Sequence, residues 1–331
     1  MTHFERIYGC LAGLAIGDAL GMPTEFLSPT QISAEFGWID HFQAAPAWHP
    51  HQRLKPGQVT DDTGQALAVL HAYTPDGQLT AAAVARELLA WADAAGEALP
   101  FIVGPSTSLA LDELRNGADP RDSGKKGKSN GAAYRAVAVG FMNPSGSDHL
   151  MDQVIEACLP THGTSVAISG AAAVAFAIAA ALENGACVQT ILEAAGLGAV
   201  KGRAYGVSAW GTPLEKRIEL AVELVIRSKD EKNALADLYN YVGTDLVVGE
   251  SIATAFGLVA LANGDPMKAV VYGANIGGDT DTIGAIAGAV CGAYRGIQAI
   301  DMSLLAEVEA VNAIDLAAET RRVEVLSARL H

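Results

Sequence analysis

The chain has 331 residues, of which 50% are hydrophobic and only 6% aromatic, and it contains 35 glycines. A chain of this length and composition buries a large core, which excludes a disordered protein. Its 22 basic and 37 acidic residues give a formal charge of −15, which argues against nucleic acid or an anionic membrane as a partner.

Apolar residues recur at three- and four-residue spacing along most of the chain, which is typical of helices, and strand-like alternation is nearly absent. After a Gly- and Ala-rich helix that ends near Gly21, the predicted helices lie at 80–95, 148–159, 165–183, 187–200, 213–228, 232–241, 249–262, 281–294 and 302–328. Irregular connections are predicted at 21–31, 37–58 and 116–130. We therefore predict an all-α protein and, because no low-complexity linker divides the chain, a single domain over 1–331.

Two carboxylates stand out in and after the first helix. Asp18 lies among small apolar neighbours in GCLAGLAIGDALG, and we expect it to orient a nearby polar group. Glu25 follows the end of the helix and is free to act as a base or a ligand, although an isolated loop carboxylate is more often simply solvated.

Three histidines follow in the segment HFQAAPAWHPH, at His41, His49 and His51. Such a group could suggest zinc, but a spacing with two prolines and no cysteine matches no recognised zinc site. We interpret this segment as a surface loop.

Two motifs rich in oxygen each precede a Gly- and Ala-rich helical run: TDDT at 60–63 and DTDT at 279–282. Helix capping is one explanation, because Thr and Asp accept hydrogen bonds from free backbone N–H groups and acids suit the helix dipole. A site for Mg²⁺ or Mn²⁺ is the other, because these ions prefer oxygen ligands. If both helix starts met in one cleft, four carboxylates would repel one another unless they were protonated or bridged by cations. Spacing alone does not show that they are neighbours, so both explanations stay open.

The basic segment at 121–135, RDSGKKGKSNGAAYR, contains a Gly-Lys-Ser triplet but fails the phosphate-loop pattern, since Asp122 occupies the position of its first glycine. Its lysines and its backbone amides from Gly127 to Gly131 could meet a phosphate at a helix start near Ala132, or the segment could be a solvated loop. His162, which directly precedes the longest apolar run, could reach a cleft or merely lie at a helix start.

Three features predict a cytoplasmic protein. The run from Val166 to Leu182 is 17 residues of mostly alanine, marginal for a membrane span, so we predict a buried central helix. The N-terminal MTHFERIYGC lacks the pattern of a signal peptide. Four scattered cysteines form no C-x-x-C pair, which predicts buried free thiols in a reducing compartment; these are Cys10, Cys158, Cys187 and Cys291.

Five motifs, taken in order, resemble the ADP-ribosylglycohydrolase family. They are G-x-x-x-GDALG at 13–21 with Glu25, TDDT at 60–63, SNGAA at 129–133, Thr161-His162, and GGDTDT at 277–282. The resemblance runs from about residue 5 to residue 296. It implies an orthogonally packed all-α fold with two divalent cations, Mg²⁺ or Mn²⁺, and an ADP-ribosyl or ribosyl substrate, either free or on a modified protein.

The resemblance also implies a role for each matched residue. The metal ligands would be Thr60, Asp61, Asp62, Asp279, Asp281 and Thr282. The substrate would be bound by Gly127, Ser129, Asn130, Gly131 and His162. Glu25 and Asp62 would be catalytic: paired cations would hold the ribose hydroxyls and activate water, while Glu25 assists proton transfer as positive charge develops on the anomeric carbon.

One departure bears on the substrate. Members of the family that act on ADP-ribosylarginine often carry an Asp in a D-I-G segment, and here the stretch reads Phe101-Ile102-Val103-Gly104, with Ile102 at the position of the Asp. This argues against an arginine linkage and leaves serine-linked, acetyl-linked and nucleoside-type substrates open. The alternatives are a ribonucleoside hydrolase with the same metal pair and a catalytically silent member that resembles the lens crystallins of the family.

Overall fold

The computed structural model describes residues 1–327, and across that span α-helices joined by loops build the structure. Three isolated bridging pairs are the only β-type pairing among these residues. The helices, named α1 to α17 in chain order, are His3–Gly21, Pro29–Phe36, Asp61–His71, Ala81–Ala95, Leu99–Ile102, Pro105–Arg115, Gly131–Met142, Asp148–Cys158, Ser165–Ala181, Val188–Gly202, Leu214–Arg227, Glu231–Asp237, Val248–Leu261, Pro266–Ile276, Thr280–Arg295, Met302–Asn312 and Leu316–Ser327. The predicted all-α class is confirmed.

Helices α1 and α15 pack antiparallel along a seam of glycines. Glycine occupies every fourth position on both sides; the seam consists of Gly9, Gly13, Gly17 and Gly21 from α1 and of Gly284, Gly288, Gly292 and Gly296 at α15. A Cβ atom at Gly9 would lie 2.6 Å from the carbonyl oxygen of Gly292, and one at Gly21 would lie 2.5 Å from the carbonyl carbon of Thr280. Only glycine permits this approach, which brings the end of α1 against the start of α15.

Helix α9 is the predicted buried central helix. Val166 is half-buried and the rest of the helix is buried. Helix α7, which is buried over its whole length, packs against it and begins directly after Asn130. None of the helices within the described span is long and apolar enough to cross a membrane.

The predicted helix at 302–328 is wrong as a single element. Ala313 adopts a left-handed conformation with φ of 52° and ends α16. The side chain of Asp315 then accepts a hydrogen bond of 2.7 Å from the Ala318 N–H and starts α17. Ala328, at the end of this prediction, lies outside the described residues, as do residues 328–331 of the predicted domain.

The cysteines are free thiols, as predicted, but not all are buried. Cys10, Cys158 and Cys291 lie in the core, whereas Cys187 is exposed at the residue that precedes α10. The prediction of burial is therefore wrong for Cys187, because this residue lies in a connection on the surface.

Candidate metal centre

The starts of α3 and α15 lie side by side at the end of α1. The Thr60 hydroxyl is 3.3 Å from Asp62 Oδ2 and 3.4 Å from Asp281 Oδ2. The six residues expected to bind metal are all buried: Thr60, Asp61, Asp62, Asp279, Asp281 and Thr282. The two motifs that stand some 220 residues apart in the sequence therefore share one site.

The oxygens of these motifs do not cap their helices in the expected way. Neither Thr60, which precedes α3, nor Asp279, which precedes α15, accepts a capping hydrogen bond with its side chain. Asp279 Oδ2 accepts a hydrogen bond from the Asn130 amide, while Asp279 Oδ1 and Asp62 Oδ1 are buried with no donor. Buried carboxylate oxygens without partners are costly. Capping is thus the wrong explanation for Thr60 and Asp279, whereas cations fit the open oxygens.

Asp18 clamps α3 onto α1. Its Oδ1 accepts hydrogen bonds from the Thr60 N–H at 2.8 Å and the Thr60 hydroxyl at 2.9 Å. Its Oδ2 accepts from the Thr63 N–H at 3.0 Å and the Thr63 hydroxyl at 2.6 Å. A neighbouring helix therefore supplies the capping carboxylate, which confirms that Asp18 orients nearby polar groups.

Possible ligand atoms converge in two sets that share Asp281. The atoms of Glu25, His51 and Asp281 lie within 4.8 Å of one another, as do those of Asp18, Asp62 and Asp281. Because both oxygens of Asp18 already accept hydrogen bonds from Thr60 and Thr63, Asp62 and Asp281 provide the available oxygens of the second set.

Burial and mutual repulsion raise the pKa values of the carboxylic acids in the cluster. Burial is the main cause of the rise in pKa to about 7 at Asp61 and to about 6 at Asp18. The pKa values of Glu25, Asp62 and Asp279 also lie well above their usual range, first because of burial and next because of Asp281. Divalent cations would offset the cost of ionising such a cluster.

Asp61 has its own set of donors, which the sequence analysis missed. Its Oδ2 accepts hydrogen bonds of 2.6 Å from both the Gln65 amide and the Tyr134 hydroxyl. The Gln65 carbonyl oxygen in turn accepts a hydrogen bond of 3.0 Å from the fully buried Arg135. The available signal was the pair Tyr134-Arg135, since Arg135 is a charged residue in an otherwise apolar helix.

A cavity of about 110 Å³ opens beside the carboxylates. Eight of the predicted site residues line it: Glu25, Asp61, Ser129, Asn130, Gly131, Asp279, Asp281 and Thr282. Phe26, His51, Phe101, Ile102 and Tyr134 form much of the remaining wall. Four predicted residues lie outside the wall: Thr60, Asp62, Gly127 and His162.

His162 lies behind the wall and supports it. Its Nε2 shares a hydrogen bond of 3.0 Å with the Ser129 hydroxyl, and its Nδ1 lies 2.7 Å from the Thr161 hydroxyl. Burial, and next the adjacent Arg135, lower the pKa of His162 well below its usual value, so the ring is neutral. Gly127 packs against the backbone of Thr161 and His162, where a Cβ atom would not fit.

The interpretation of the three histidines as a surface loop is wrong for two of them. His41 is exposed, but His49 and His51 are buried against the loop of Glu25. His49 Nε2 donates a hydrogen bond of 2.7 Å to the Glu25 carbonyl oxygen, and His51 Nε2 contacts Glu25 Oε2. Burial lowers the pKa of both rings. The partner loop lies about 25 residues earlier, so local spacing could not show this contact.

The lysines at 125–128 divide into two groups. Lys125 and Lys126 are exposed and form ion pairs of 2.7 Å with Asp122 and 2.9 Å with Glu113. Lys128 instead lies 5.8 Å from the centre of the Trp210 ring, in a neighbouring chamber of about 550 Å³. Pro105, Ser129 and Leu246 separate this chamber from the cavity and line both.

Comparison with known proteins decides the family. The family model described as ADP-ribosylglycohydrolase matches residues 1–330. The chain belongs to the ADP-ribosylglycohydrolase family. This is a family of hydrolases, and the predicted resemblance is confirmed over nearly the whole chain.

Two relatives and one solved structure show how far the similarity extends. The uncharacterized protein YegU of Escherichia coli (strain K12) is 36% identical over 314 residues, which cover 94% of each chain. The ADP-ribosyl-[dinitrogen reductase] glycohydrolase of Rhodospirillum rubrum is 25% identical, and the alignment covers 92% of this chain and 90% of that protein. A solved chain of an ADP-ribosylglycohydrolase-related protein complex superposes with a TM-score of 0.68 at 24% identity, over 99% of this chain and 98% of that one. This superposition confirms the ADP-ribosylglycohydrolase fold.

Proposed function

We propose that the protein uses two divalent cations, Mg²⁺ or Mn²⁺, to hydrolyse the bond at the anomeric ribose carbon of an ADP-ribosyl group. The observation that carries the proposal is that each of the two acidic motifs has a buried carboxylate oxygen without a donor, Asp62 Oδ1 and Asp279 Oδ1, in a member of this family. The Rhodospirillum rubrum relative, named as a glycohydrolase of an ADP-ribosyl group, supports the substrate class.

The proposed metal ligands are the six residues of the two motifs: Thr60, Asp61, Asp62, Asp279, Asp281 and Thr282. When bound, the cations would keep the carboxylates ionised and polarise ribose hydroxyls and water. The chain itself supplies the orientation. Asp18 fixes Thr60, Tyr134 fixes Asp61, and Asn130 fixes Asp279.

Glu25 is the proposed residue for proton transfer. It lines the cavity within 4.8 Å of Asp281, and its loop is fixed next to the start of α15 by a backbone hydrogen bond of 2.8 Å from the Phe26 N–H to the Gly278 carbonyl. Burial, and next the nearby Asp281, raise the pKa of Glu25 well above its usual value, which favours the protonated form that a proton donor to the leaving group needs. Asp62 lies outside the cavity wall, so its proposed catalytic contribution is to hold a cation.

We propose that the part of the ADP-ribosyl group beyond the reacting ribose extends past Ser129, Asn130 and Gly131 into the adjoining chamber. The cavity alone is smaller than typical ligand pockets, but the adjoining chamber brings the total into their range. Lys128, Trp210 and Arg217 line that chamber, which suits a phosphate and an aromatic base. Gly127 and His162 support this wall from behind. They would affect substrate binding indirectly, because they fix the position of the wall.

The wall around Ile102 bears on the linkage that is cleaved. Phe101, Ile102 and Val103 line the cavity and present apolar side chains. A substrate guanidinium would find no carboxylate on this wall to form the bidentate pair that arginine prefers. We therefore favour serine-linked or acetyl-linked substrates over arginine-linked ones.

A ribonucleoside hydrolase with the same cations is a second candidate, favoured by the small volume of the cavity itself. The two functions differ in whether the substrate occupies the chamber. Lys128→Ala and Trp210→Ala should lower kcat/KM for ADP-ribosyl substrates about tenfold and leave ribonucleosides unaffected, because only the larger substrate reaches these side chains. Lys126→Ala, which changes an exposed ion pair, is the matched control. Equal effects on both substrates would contradict this use of the chamber.

A catalytically silent member is less consistent with the site. A structural protein has no use for buried carboxylate oxygens that lack donors, such as Asp62 Oδ1 and Asp279 Oδ1. We also propose that the whole chain acts as one domain, which is supported by the family match over 1–330 and by one hydrophobic cluster that extends from Ile7 to Leu326.

The test is a release assay on serine-linked ADP-ribose, arginine-linked ADP-ribose and ribonucleosides, run with EDTA, Mg²⁺ or Mn²⁺. We expect metal-dependent release from at least one ADP-ribosyl substrate and none from Asp279→Ala, whose helical circular dichroism should match that of the wild type. Release that persists in EDTA, or in Asp279→Ala, would refute the proposal.

A further inference from the structure

His51 is a buried imidazole that faces the carboxylate cluster. Its side chain is 3% exposed and lines the cavity. Its Nε2 contacts Glu25 Oε2, and a ring nitrogen of His51, a carboxylate oxygen of Glu25 and one of Asp281 all lie within 4.8 Å of one another. The six proposed ligands contribute only oxygen, so His51 is the nitrogen donor of this site among the described residues.

We propose that His51 Nε2 is a nitrogen ligand of one of the two cations, together with Asp281, and that it biases this position toward Mn²⁺ over Mg²⁺. This inference rests on the proposed function, because it requires the metal centre to exist. It goes further in naming a ligand outside both acidic motifs and in distinguishing the two cations.

The position of His51 is fixed before any cation binds. The backbone N–H of His51 donates a hydrogen bond of 3.1 Å to His49 Nδ1, which must therefore be unprotonated. His49 Nε2 then carries the proton and donates it to the Glu25 carbonyl oxygen at 2.7 Å. His49 thus ties the loop of His51 to the loop of Glu25, which directs the second imidazole at the cluster.

The spacing of the donor atoms fits a single cation. Nitrogen and oxygen ligands lie about 2.0–2.2 Å from a small divalent ion, so two ligands of one ion are at most about 4.4 Å apart. Because the three atoms lie within 4.8 Å of one another, a small adjustment of the side chains brings His51 and Asp281 into this range. The direct contact between His51 and Glu25 would then be replaced by a bond from His51 to the cation, which leaves Glu25 free for proton transfer.

An independent observation shows that the cluster lacks partners. Asp62 Oδ1 and Asp279 Oδ1 have no hydrogen-bond donor, although both side chains are almost fully buried. A simple pair between His51 and Glu25 would leave these oxygens unsatisfied, since that pair involves neither of them.

The nitrogen ligand has a consequence for metal choice. Mg²⁺ strongly prefers oxygen ligands, whereas imidazole binds first-row transition ions well, and Mn²⁺ accepts both oxygen and nitrogen. A His ligand at one position therefore favours Mn²⁺ there, while the all-oxygen position accepts either ion.

The test is pulsed electron paramagnetic resonance on the Mn²⁺-loaded full chain, which detects the ¹⁴N nucleus of a coordinated imidazole. We expect the ¹⁴N modulation in the wild type and in His41→Gln, whose exposed ring is the matched control, and its loss in His51→Gln. Titration with Mn²⁺ and Mg²⁺ should show that His51→Gln lowers the preference for Mn²⁺ on the order of tenfold.

The outcomes separate this inference from the proposed function. Bound Mn²⁺ without ¹⁴N modulation in the wild type would overturn the assignment of His51 and leave the metal-dependent hydrolase intact. Modulation that persists in His51→Gln would also overturn it. Absence of any bound Mn²⁺ would overturn both. Absence of modulation in the wild type overturns the assignment even if His51→Gln fails to fold.

Discussion

At the scale of single residues, the hydrogen-bond donors decide what each carboxylate can do. Asp18 has donors on both oxygens and serves as a clamp, whereas Asp61 has both donors on Oδ2. Asp62 and Asp279 each keep one oxygen without a donor. Residues of one type, within one cluster, therefore differ in their availability to a cation.

The raised pKa values predict an unusual pH dependence of stability. An aspartic acid has a pKa near 4 in the unfolded chain (about 3.9), whereas the pKa of Asp61 is about 7 in the folded protein. Between these pH values the folded state binds the additional proton, so the free energy of unfolding contributed by Asp61 falls as pH rises from 4 to 7. Mg²⁺ should reverse this trend, because it binds the ionised carboxylates.

Urea unfolding at several pH values between 5 and 7, with EDTA or with Mg²⁺, measures this dependence. Asp61→Asn is the control, because its amide oxygen can still accept the hydrogen bonds of Gln65 and Tyr134 without titrating. In EDTA this variant should lose less stability than the wild type as the pH rises. An equal or larger loss would show that Asp61 is already ionised in the folded protein.

At the scale of helices, the glycine seam between α1 and α15 positions the site. The sequence contains this information as glycine at every fourth position, at 9–21 and again at 284–296, although it does not show that the two series face each other. Helices α2, α6 and α14 are absent from the predicted set, and each begins with a proline, a residue that also marks breaks between helices. Proline is in fact well suited to the first position of a helix.

Alanine substitutions should show that the seam carries stability. Gly9→Ala places a methyl group 2.6 Å from the Gly292 carbonyl oxygen and should lower the free energy of unfolding by about 1–3 kcal/mol. Gly196→Ala, within α10, meets no atom within 4 Å and should be neutral or stabilising by up to about 1 kcal/mol. Thermal unfolding measures the stability of both variants. Equal changes in Tm would contradict a stabilising role of the glycine seam.

At the scale of the whole molecule, the fold brings together residues from both ends of the chain. The all-α class could be predicted from helical periodicity, and the two acidic motifs stood out because each lies directly before a Gly- and Ala-rich helix. The convergence of Asp62 with Asp281 could not, since it depends on packing between distant helices. The contact of His51 with Glu25 could not be predicted either, since it also joins distant segments. In addition, the sequence of the His51 loop is of mixed composition and resembles that of a solvated loop.

Cation binding should stabilise the whole chain. A ligand that binds only the folded state adds about 2.7 kcal/mol to the free energy of unfolding at 100 times its Kd. Mg²⁺ or Mn²⁺ should therefore raise the midpoint of urea unfolding at pH 7, and Asp279→Ala should lose most of this gain. A midpoint of urea unfolding that neither cation changes would show that they do not bind the folded protein.

We propose that the buried carboxylates form a two-cation centre that cleaves an ADP-ribosyl linkage. The most direct measurement titrates the metal-free protein with Mn²⁺ and records, in the same samples, the bound ions per chain and the release of ADP-ribose from its serine-linked and acetyl-linked forms. We predict two bound ions per chain, with release that rises with occupancy. Release without bound ions, or two bound ions without release from either form, would contradict a two-cation hydrolase.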